Sequence, residues 1–141
     1  MNKQVVRVGI LNRQAFARRT IAIAKGLYKP RPDEPKIWFE SLRSLAEVLS
    51  GDNLELLRLI EEKHPHSLGE LEALSGRKKS NLSRTLKMLE DYGIVTLERE
   101  DRRLVPRVTV TDFQVEFGLN TPQVDPAKLR AELDAIIDPS L

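Results

Sequence analysis

The middle of the chain reads LGELEALSGRKKSNLSRTLKMLEDYGIVTLERE over residues 68–100. Ser67, one residue before this segment, and Glu70 within it form a capping box, Ser67-x-x-Glu70, which predicts the beginning of a helix. Gly76 favours the end of that helix, and a second helix is predicted to begin near Ser80. The segment therefore predicts two short helices joined by a tight basic turn.

The second of these helices is strongly two-sided. Its apolar stripe consists of three leucines, in which Leu86 and Leu89 lie within about 40° of Leu82 around the helix axis. Ser80, Arg84 and Lys87 lie near the opposite pole, with Asn81 and Ser83 beside them. After Gly93 the alternation of residues 94–110 predicts a β-hairpin with a charged turn. The helix thus combines a core face with a cationic, hydrogen-bonding face.

Upstream of this segment the sequence predicts a strand, a helix and a second strand within residues 1–41. The first strand contains Gly9, which favours an edge or bulged strand. Asn12 is a good N-cap for a helix whose apolar face is predicted to consist of Phe16, Thr20, Ile23 and Leu27. Residues 37–39 form the second strand-like run.

Further elements are predicted on either side of the central segment. Ser41 caps a helix that Gly51 is predicted to end, and Asp52-x-x-Glu55 predicts the start of another that runs to about Lys63. Beyond the hairpin, residues 113–119 alternate as a strand, after a break that follows Val110. A linker and an amphipathic helix from about Pro126 are predicted within residues 120–141.

Composition excludes several classes of protein. The 141 residues include no Cys, which removes disulfides and thiolate metal sites, and no apolar run is long enough to cross a bilayer. His64 and His66 flank Pro65 and are interpreted as an interhelical turn rather than a metal site. The sequence has no phosphate-binding glycine loop, and its adjacent carboxylates do not converge. We expect no enzyme, cofactor or metal, and a cytoplasmic protein that does not bind membranes.

Charge is distributed unevenly along the chain. The formal net charge is only +2, yet 17 of the 23 basic side chains fall within residues 1–32, 77–87 and 99–107. If two of these stretches share a face, that face would attract a polyanion. A merely solvated charged surface is the alternative that charge alone leaves open.

From residue 52 onward the predicted elements are two helices, a basic helix and a hairpin. This order can place the basic helix in the major groove of DNA. Residues 68–100 resemble the winged helix-turn-helix of MarR-like transcriptional regulators. The matching features are Leu71 and Leu74 in the first helix, the start of the second helix at Ser80, Leu82, Ser83 and Arg84, and Gly93-Ile94-Val95 leading into the wing. More weakly, three further segments resemble short MarR-like DNA-binding proteins of archaea and bacteria, some of which look like antitoxins. They are the N-terminal strand and helix, the segment Ile37-x-Phe39-Glu40-Ser41 and the closing aromatic strand. Lys78 and Lys79 depart from the smaller polar residues common in MarR-like sequences, which favours phosphate affinity.

These features predict an α+β fold. A winged helix-turn-helix is predicted in residues 42–119. It is preceded by a strand-helix-strand extension in residues 1–41 and followed by a helical tail in residues 120–141. The predicted function is a homodimeric regulator of transcription that binds double-stranded DNA through a recognition helix at about 80–92 and a wing at about 94–110. The residues predicted to contact DNA are Arg77, Lys78, Lys79, Ser80, Asn81, Ser83, Arg84, Lys87, Arg102 and Arg103.

Two alternatives accompany this prediction. The chain could be an antitoxin that neutralises a toxin partner through residues 121–141 and represses its own operon through the same DNA-binding domain. RNA could bind the same basic face, although the sequence lacks the aromatic platform usual in proteins that bind single strands.

Overall fold

The computed structural model describes residues 3–119, and over that range the protein has a mixed α+β structure with five helices and two small sheets. The elements are β1 (Val5–Ile10), α1 (Arg13–Ala24), β2 (Ile37–Phe39), α2 (Leu42–Val48), α3 (Gly51–Lys63), α4 (Leu68–Ser75), α5 (Lys79–Asp91), β3 (Val95–Glu100), β4 (Arg103–Val108) and β5 (Asp112–Glu116). The helix predicted within residues 120–141 lies outside the described residues. None of the five helices is long and apolar enough to span a membrane.

The chain forms two compact units. The helix–hairpin unit comprises Leu45–Phe113 together with the residues up to Val6. The sheet unit comprises Arg7–Ser44 together with the segment that starts at Gln114. The boundaries fall inside β1, α2 and β5, so each of these elements contributes residues to both units.

The core of the helix–hairpin unit is formed by apolar side chains from α3, α4, α5 and the hairpin. Its most deeply buried members are Ile60, Leu71, Leu82, Leu86, Leu89, Ile94, Val95 and Val105. The three leucines of α5 are completely buried, which confirms the stripe predicted from their spacing. One side of α5 is therefore fixed against the core, and its other side faces solvent.

The helices α3 and α4 begin at serine caps. Ser67 Oγ accepts the backbone N–H of Glu70 at 3.0 Å, as predicted. The predicted start of α3 at Asp52-x-x-Glu55 is wrong, because Ser50 is the N-cap and its Oγ accepts the backbone N–H of Asn53 at 3.2 Å. Gly51 consequently begins α3 instead of separating two helices.

The hairpin pairs β3 with β4 in antiparallel register from Val95 opposite Val108 to Glu100 opposite Arg103. Its two-residue turn consists of Asp101 and Arg102, whose φ values are 48° and 67°. Positive φ at both central residues matches the right-handed twist of the flanking strands, but it normally favours Asn-Gly. The turn therefore places an arginine in a conformation that strains most side chains.

The sheet unit contains the parallel pairing of β1 with β2, in which Val8 lies opposite Ile37 and Ile10 opposite Phe39. The sheet order is β2-β1-β5, so the prediction that β1 is an edge strand is wrong. A side chain at Gly9 would place its Cβ 2.5 Å from Cζ3 of Trp38. This glycine is thus required for close packing rather than for a bulge.

The buried face of α1 differs from the predicted one. Asn12 caps the helix as expected, with its Oδ1 accepting the backbone N–H of Ala15 at 2.9 Å. The buried residues are Ala15 and Ala22, whereas Phe16 remains 42% exposed. Seven residues separate the two alanines, so they lie on one side of the helix. Small side chains allow a helix to approach its neighbours closely. The predicted face was wrong because it was built mainly from large apolar residues.

Candidate nucleic-acid interface

The N-terminal half of α5 and the residue before it present a continuous exposed surface of cationic and small polar side chains. Its members are Lys78, Lys79, Ser80, Asn81, Ser83 and Arg84. None of these six side chains forms a hydrogen bond or ion pair with another residue in the range 3–119. We call this set the α5 surface. Within the described part of the chain, its donors are therefore available to an external partner.

An open groove of about 640 Å³ adjoins the α5 surface. It is lined by residues from the starts of α3 and α5: Ser50, Asp52, Asn53, Arg77, Lys78, Ser80, Asn81, Arg84 and Thr85. All nine lining residues are polar or charged. The groove therefore suits a charged, hydrated partner better than an apolar ligand.

Arg77, which the sequence placed among the DNA contacts, is engaged within the protein. Its Nη2 donates to the carbonyl oxygen of Asp52 at 2.6 Å, and its Nη1 donates to Oδ1 of Asn53 at 3.3 Å. Asn53 is itself buried, and its Nδ2 donates to the carbonyl oxygen of Val48 at 2.9 Å. Arg77 thus ties the turn before α5 to the start of α3 and orients the α5 surface.

Lys87 is also paired inside the protein. Its Nζ lies 3.2 Å from Oε1 of Glu90 and 3.4 Å from Oδ1 of Asp91. The hydrogen bond to Glu90 and then that to Asp91 raise the pKa of Lys87 above its ordinary value. Two carboxylates beside one ammonium leave this end of α5 without excess positive charge. The cationic part of the helix is accordingly its N-terminal half.

The N-terminus of α5 already has an acceptor. Lys78 occupies the N-cap position without a side-chain capping bond, and Oε2 of Glu72 accepts the backbone N–H of Lys79 at 2.7 Å. This carboxylate satisfies one of the N-terminal N–H groups that a helix can otherwise offer to a phosphate. Positive charge at this end of α5 therefore comes mainly from Lys78, Lys79 and Arg84.

The hairpin turn carries a second group of exposed cations. Arg102 occupies the turn and Arg103 begins β4, and both are exposed. Neither forms an ion pair within the described range. Arg107 instead contacts two carboxylates of β3. The hairpin and α5 lie in the same compact unit, and Glu90 Oε2 accepts the backbone N–H of Leu97 at 3.2 Å.

No metal-binding arrangement of three or more His, Asp or Glu side chains occurs among residues 3–119. His64 ends α3 in the left-handed region with φ of 48°, Pro65 is buried, and His66 donates its backbone N–H to Glu70. This stretch is a connection between α3 and α4, as its sequence indicated.

Comparison with known proteins gives two matches. The family model HVO_A0114 matches residues 48–115, slightly less than half of the chain. The matched range begins at the end of α2 and contains α3, α4, α5 and the hairpin. A solved structure described as "Crystal structure of the predicted DNA-binding transcriptional regulator from E. coli" is similar at 19% identity with a TM-score of 0.41, over 67% of this chain and 87% of that chain. No curated protein sequence matches.

Neither match carries a MarR designation, so the MarR-like resemblance stays a prediction.

The residues that the sequence analysis missed are those that shape the site from inside the protein: Asn53, Glu72, Glu90 and Arg107. Only Glu90 had a local signal, because it lies three residues after Lys87 on the same helix. The contacts of Asn53, Glu72 and Arg107 each join residues from different elements.

Proposed function

We propose that residues 42–119 form a winged helix-turn-helix that binds double-stranded DNA and regulates transcription. In this proposal α4 and α5 are the helix-turn-helix, α5 enters the major groove, and the hairpin of β3 and β4 is the wing. The order of α3, α4, α5 and hairpin supports the proposal, because it brings an exposed basic helix and a basic turn into one compact unit.

The observation that carries the proposal is the contrast between the two sides of α5. One side is held by three fully buried leucines, whereas the other offers six exposed side chains that have no partner among residues 3–119. A rigid helix with free donors meets the geometric requirement for reading base edges. The α5 surface also contains no carboxylate that would repel phosphates.

Different members of the α5 surface suit different parts of a DNA duplex. Arg84 can donate two hydrogen bonds to a guanine edge, and Asn81 can pair with adenine in the same bidentate manner. Lys78, Lys79 and the serines are suited to phosphate oxygens. We assign Lys87 a lesser part than the sequence alone would, because Glu90 and Asp91 already neutralise it.

We further propose that the protein binds as a homodimer. One recognition helix reads only a few base pairs, and a second copy would place its helix one turn away, about 34 Å along the duplex. Light scattering of the free protein and of the complex would test this stoichiometry. A complex that contains one chain per duplex at saturation would contradict the dimer.

Fluorescence anisotropy with duplex from the upstream region of the protein's own gene tests DNA binding. Arg84→Ala is expected to weaken binding by about 1–3 kcal/mol and to relax the preference over a scrambled duplex. Lys87→Ala is the matched control, since it removes one positive charge from the same helix. We expect the control to lose far less affinity, because its ammonium is already paired.

Equal losses in the two variants, the same on every duplex, would indicate nonspecific attraction and contradict sequence reading by Arg84. Absence of duplex binding by the unaltered protein would contradict the proposed function itself. The antitoxin hypothesis stays a prediction, because residues 121–141, on which it depends, lie outside the described range.

A further inference from the structure

The hairpin turn mixes opposite charges within a short stretch. The charged residues are Glu98, Arg99, Glu100, Asp101, Arg102, Arg103 and Arg107. Acids this close to the cations would reduce the attraction of the proposed wing for phosphate, either through their field or by capturing an arginine. The arrangement of ion pairs therefore decides which arginines remain available to DNA.

The strand register creates a direct competitor for one of these arginines. Glu100 lies directly opposite Arg103 in the β3–β4 pairing. Side chains in such positions have Cβ atoms about 4.5–5.5 Å apart and pair readily when their charges are opposite. Nevertheless, Arg103 forms no ion pair within residues 3–119.

Glu100 is instead held by Arg107, which lies four residues further along β4. Nη2 of Arg107 donates to Oε1 of Glu100 at 3.3 Å, and its Nε lies 3.7 Å from Oε2 of Glu98. Glu98 and Glu100 are two residues apart and therefore project from the same face of β3. One guanidinium thus contacts both carboxylates on that face.

We infer that Arg107 is a positioning residue of the proposed wing, which holds Glu100 away from Arg103 and so keeps Arg103 available for a DNA phosphate. The inference rests on the proposed DNA-binding function. Arg107 itself need not touch DNA. All three side chains are about half exposed, at 40% for Arg107, 54% for Glu98 and 48% for Glu100, so the pairs contribute little to folding stability.

The expected size of the effect follows from counterion release. Each phosphate contact contributes about 0.9 to the slope of log K against log salt concentration, which corresponds to roughly eight-fold in affinity at about 0.1 M salt. In Arg107→Gln, Glu100 is free to pair with Arg103. We therefore expect this variant to bind the duplex roughly eight-fold more weakly and to lose nearly one unit of slope.

A double-mutant cycle measured by anisotropy tests the inference. Arg107→Gln is made in the native protein and in Glu100→Gln, and the salt slope is recorded for all four proteins. In Glu100→Gln the carboxylate that lies directly opposite Arg103 is absent, so Arg107→Gln should leave the slope nearly unchanged. Arg99→Gln is the matched control, because it removes the same charge from the same hairpin without an ion pair to Glu100. Its effect should be equal in both backgrounds.

A second cycle provides a readout that misfolding would not reproduce. Arg103→Gln alone should cause the same loss as Arg107→Gln, and combining them should add less than about two-fold. Thermal unfolding of each variant verifies that the helix–hairpin unit remains folded. Equal losses from Arg107→Gln with and without Glu100 would overturn the inference while duplex binding stands. Absence of duplex binding by the native protein would overturn the proposed function and the inference with it.

Discussion

Asn53→Ala tests whether the polar contacts beneath the α5 surface hold the helix–hairpin unit together. The Asn53 side chain is 9% exposed, donates to Val48 at 2.9 Å and accepts from Arg77 at 3.3 Å. Alanine removes both bonds and leaves the carbonyl of Val48, itself a buried residue, without this donor. A lost partner for a buried polar group costs about 1–3 kcal/mol, and a hydrogen bond to a charged group contributes at a similar level.

We therefore expect Asn53→Ala to lower the free energy of unfolding by roughly 2–3 kcal/mol and Tm by roughly 10 °C. Urea titration followed by circular dichroism measures the first quantity, and a thermal melt measures the second. Asn81→Ala is the matched control, because this asparagine is exposed and its side chain has no bond within residues 3–119. The control should change stability by less than about 0.5 kcal/mol. Equal stabilities for the two variants would refute the structural role of Asn53.

Two further substitutions test the backbone and packing arguments by thermal unfolding. Gly9→Ala should destabilise the sheet unit by about 1–3 kcal/mol, because its Cβ would lie 2.5 Å from Trp38. Gly51→Ala, which has open space at the first residue of α3, should instead be neutral or stabilising, and a loss as large as that of Gly9→Ala would contradict the packing argument. Arg102→Gly should raise stability by roughly 1 kcal/mol, because φ of 67° is relaxed for glycine, while weakening duplex binding; a less stable variant would show that the turn is not strained.

The elements of the helix–hairpin unit could largely be predicted from sequence because their signals are local. Leucines at helical spacing, the cap at Ser67 and the glycine after α4 each act within one or two turns. The predicted start of α3 is wrong because serine caps helices as readily as aspartate does, and because the glycine between Ser50 and Asp52 can begin a helix as well as end one.

The position of β1 and the roles of the charged side chains could not be predicted from local patterns. The place of β1 in the sheet depends on β5, which lies about a hundred residues away in sequence. The contact of Arg77 with Asn53 similarly joins residues 24 positions apart. The cationic composition near α5 was evident from the sequence, but which cations remain unpaired is a property of the fold.

Mapping the DNA contact on the protein tests directly whether α5 is the helix that reads DNA. Backbone NMR shifts of isotope-labelled protein would be followed during titration with the upstream duplex. We predict the largest changes at residues 78–84 and 102–103, with smaller changes at residues 87–91, where Lys87 is paired. Shifts concentrated on α1, with the first half of α5 unchanged, would contradict the claim that α5 is the DNA-reading helix.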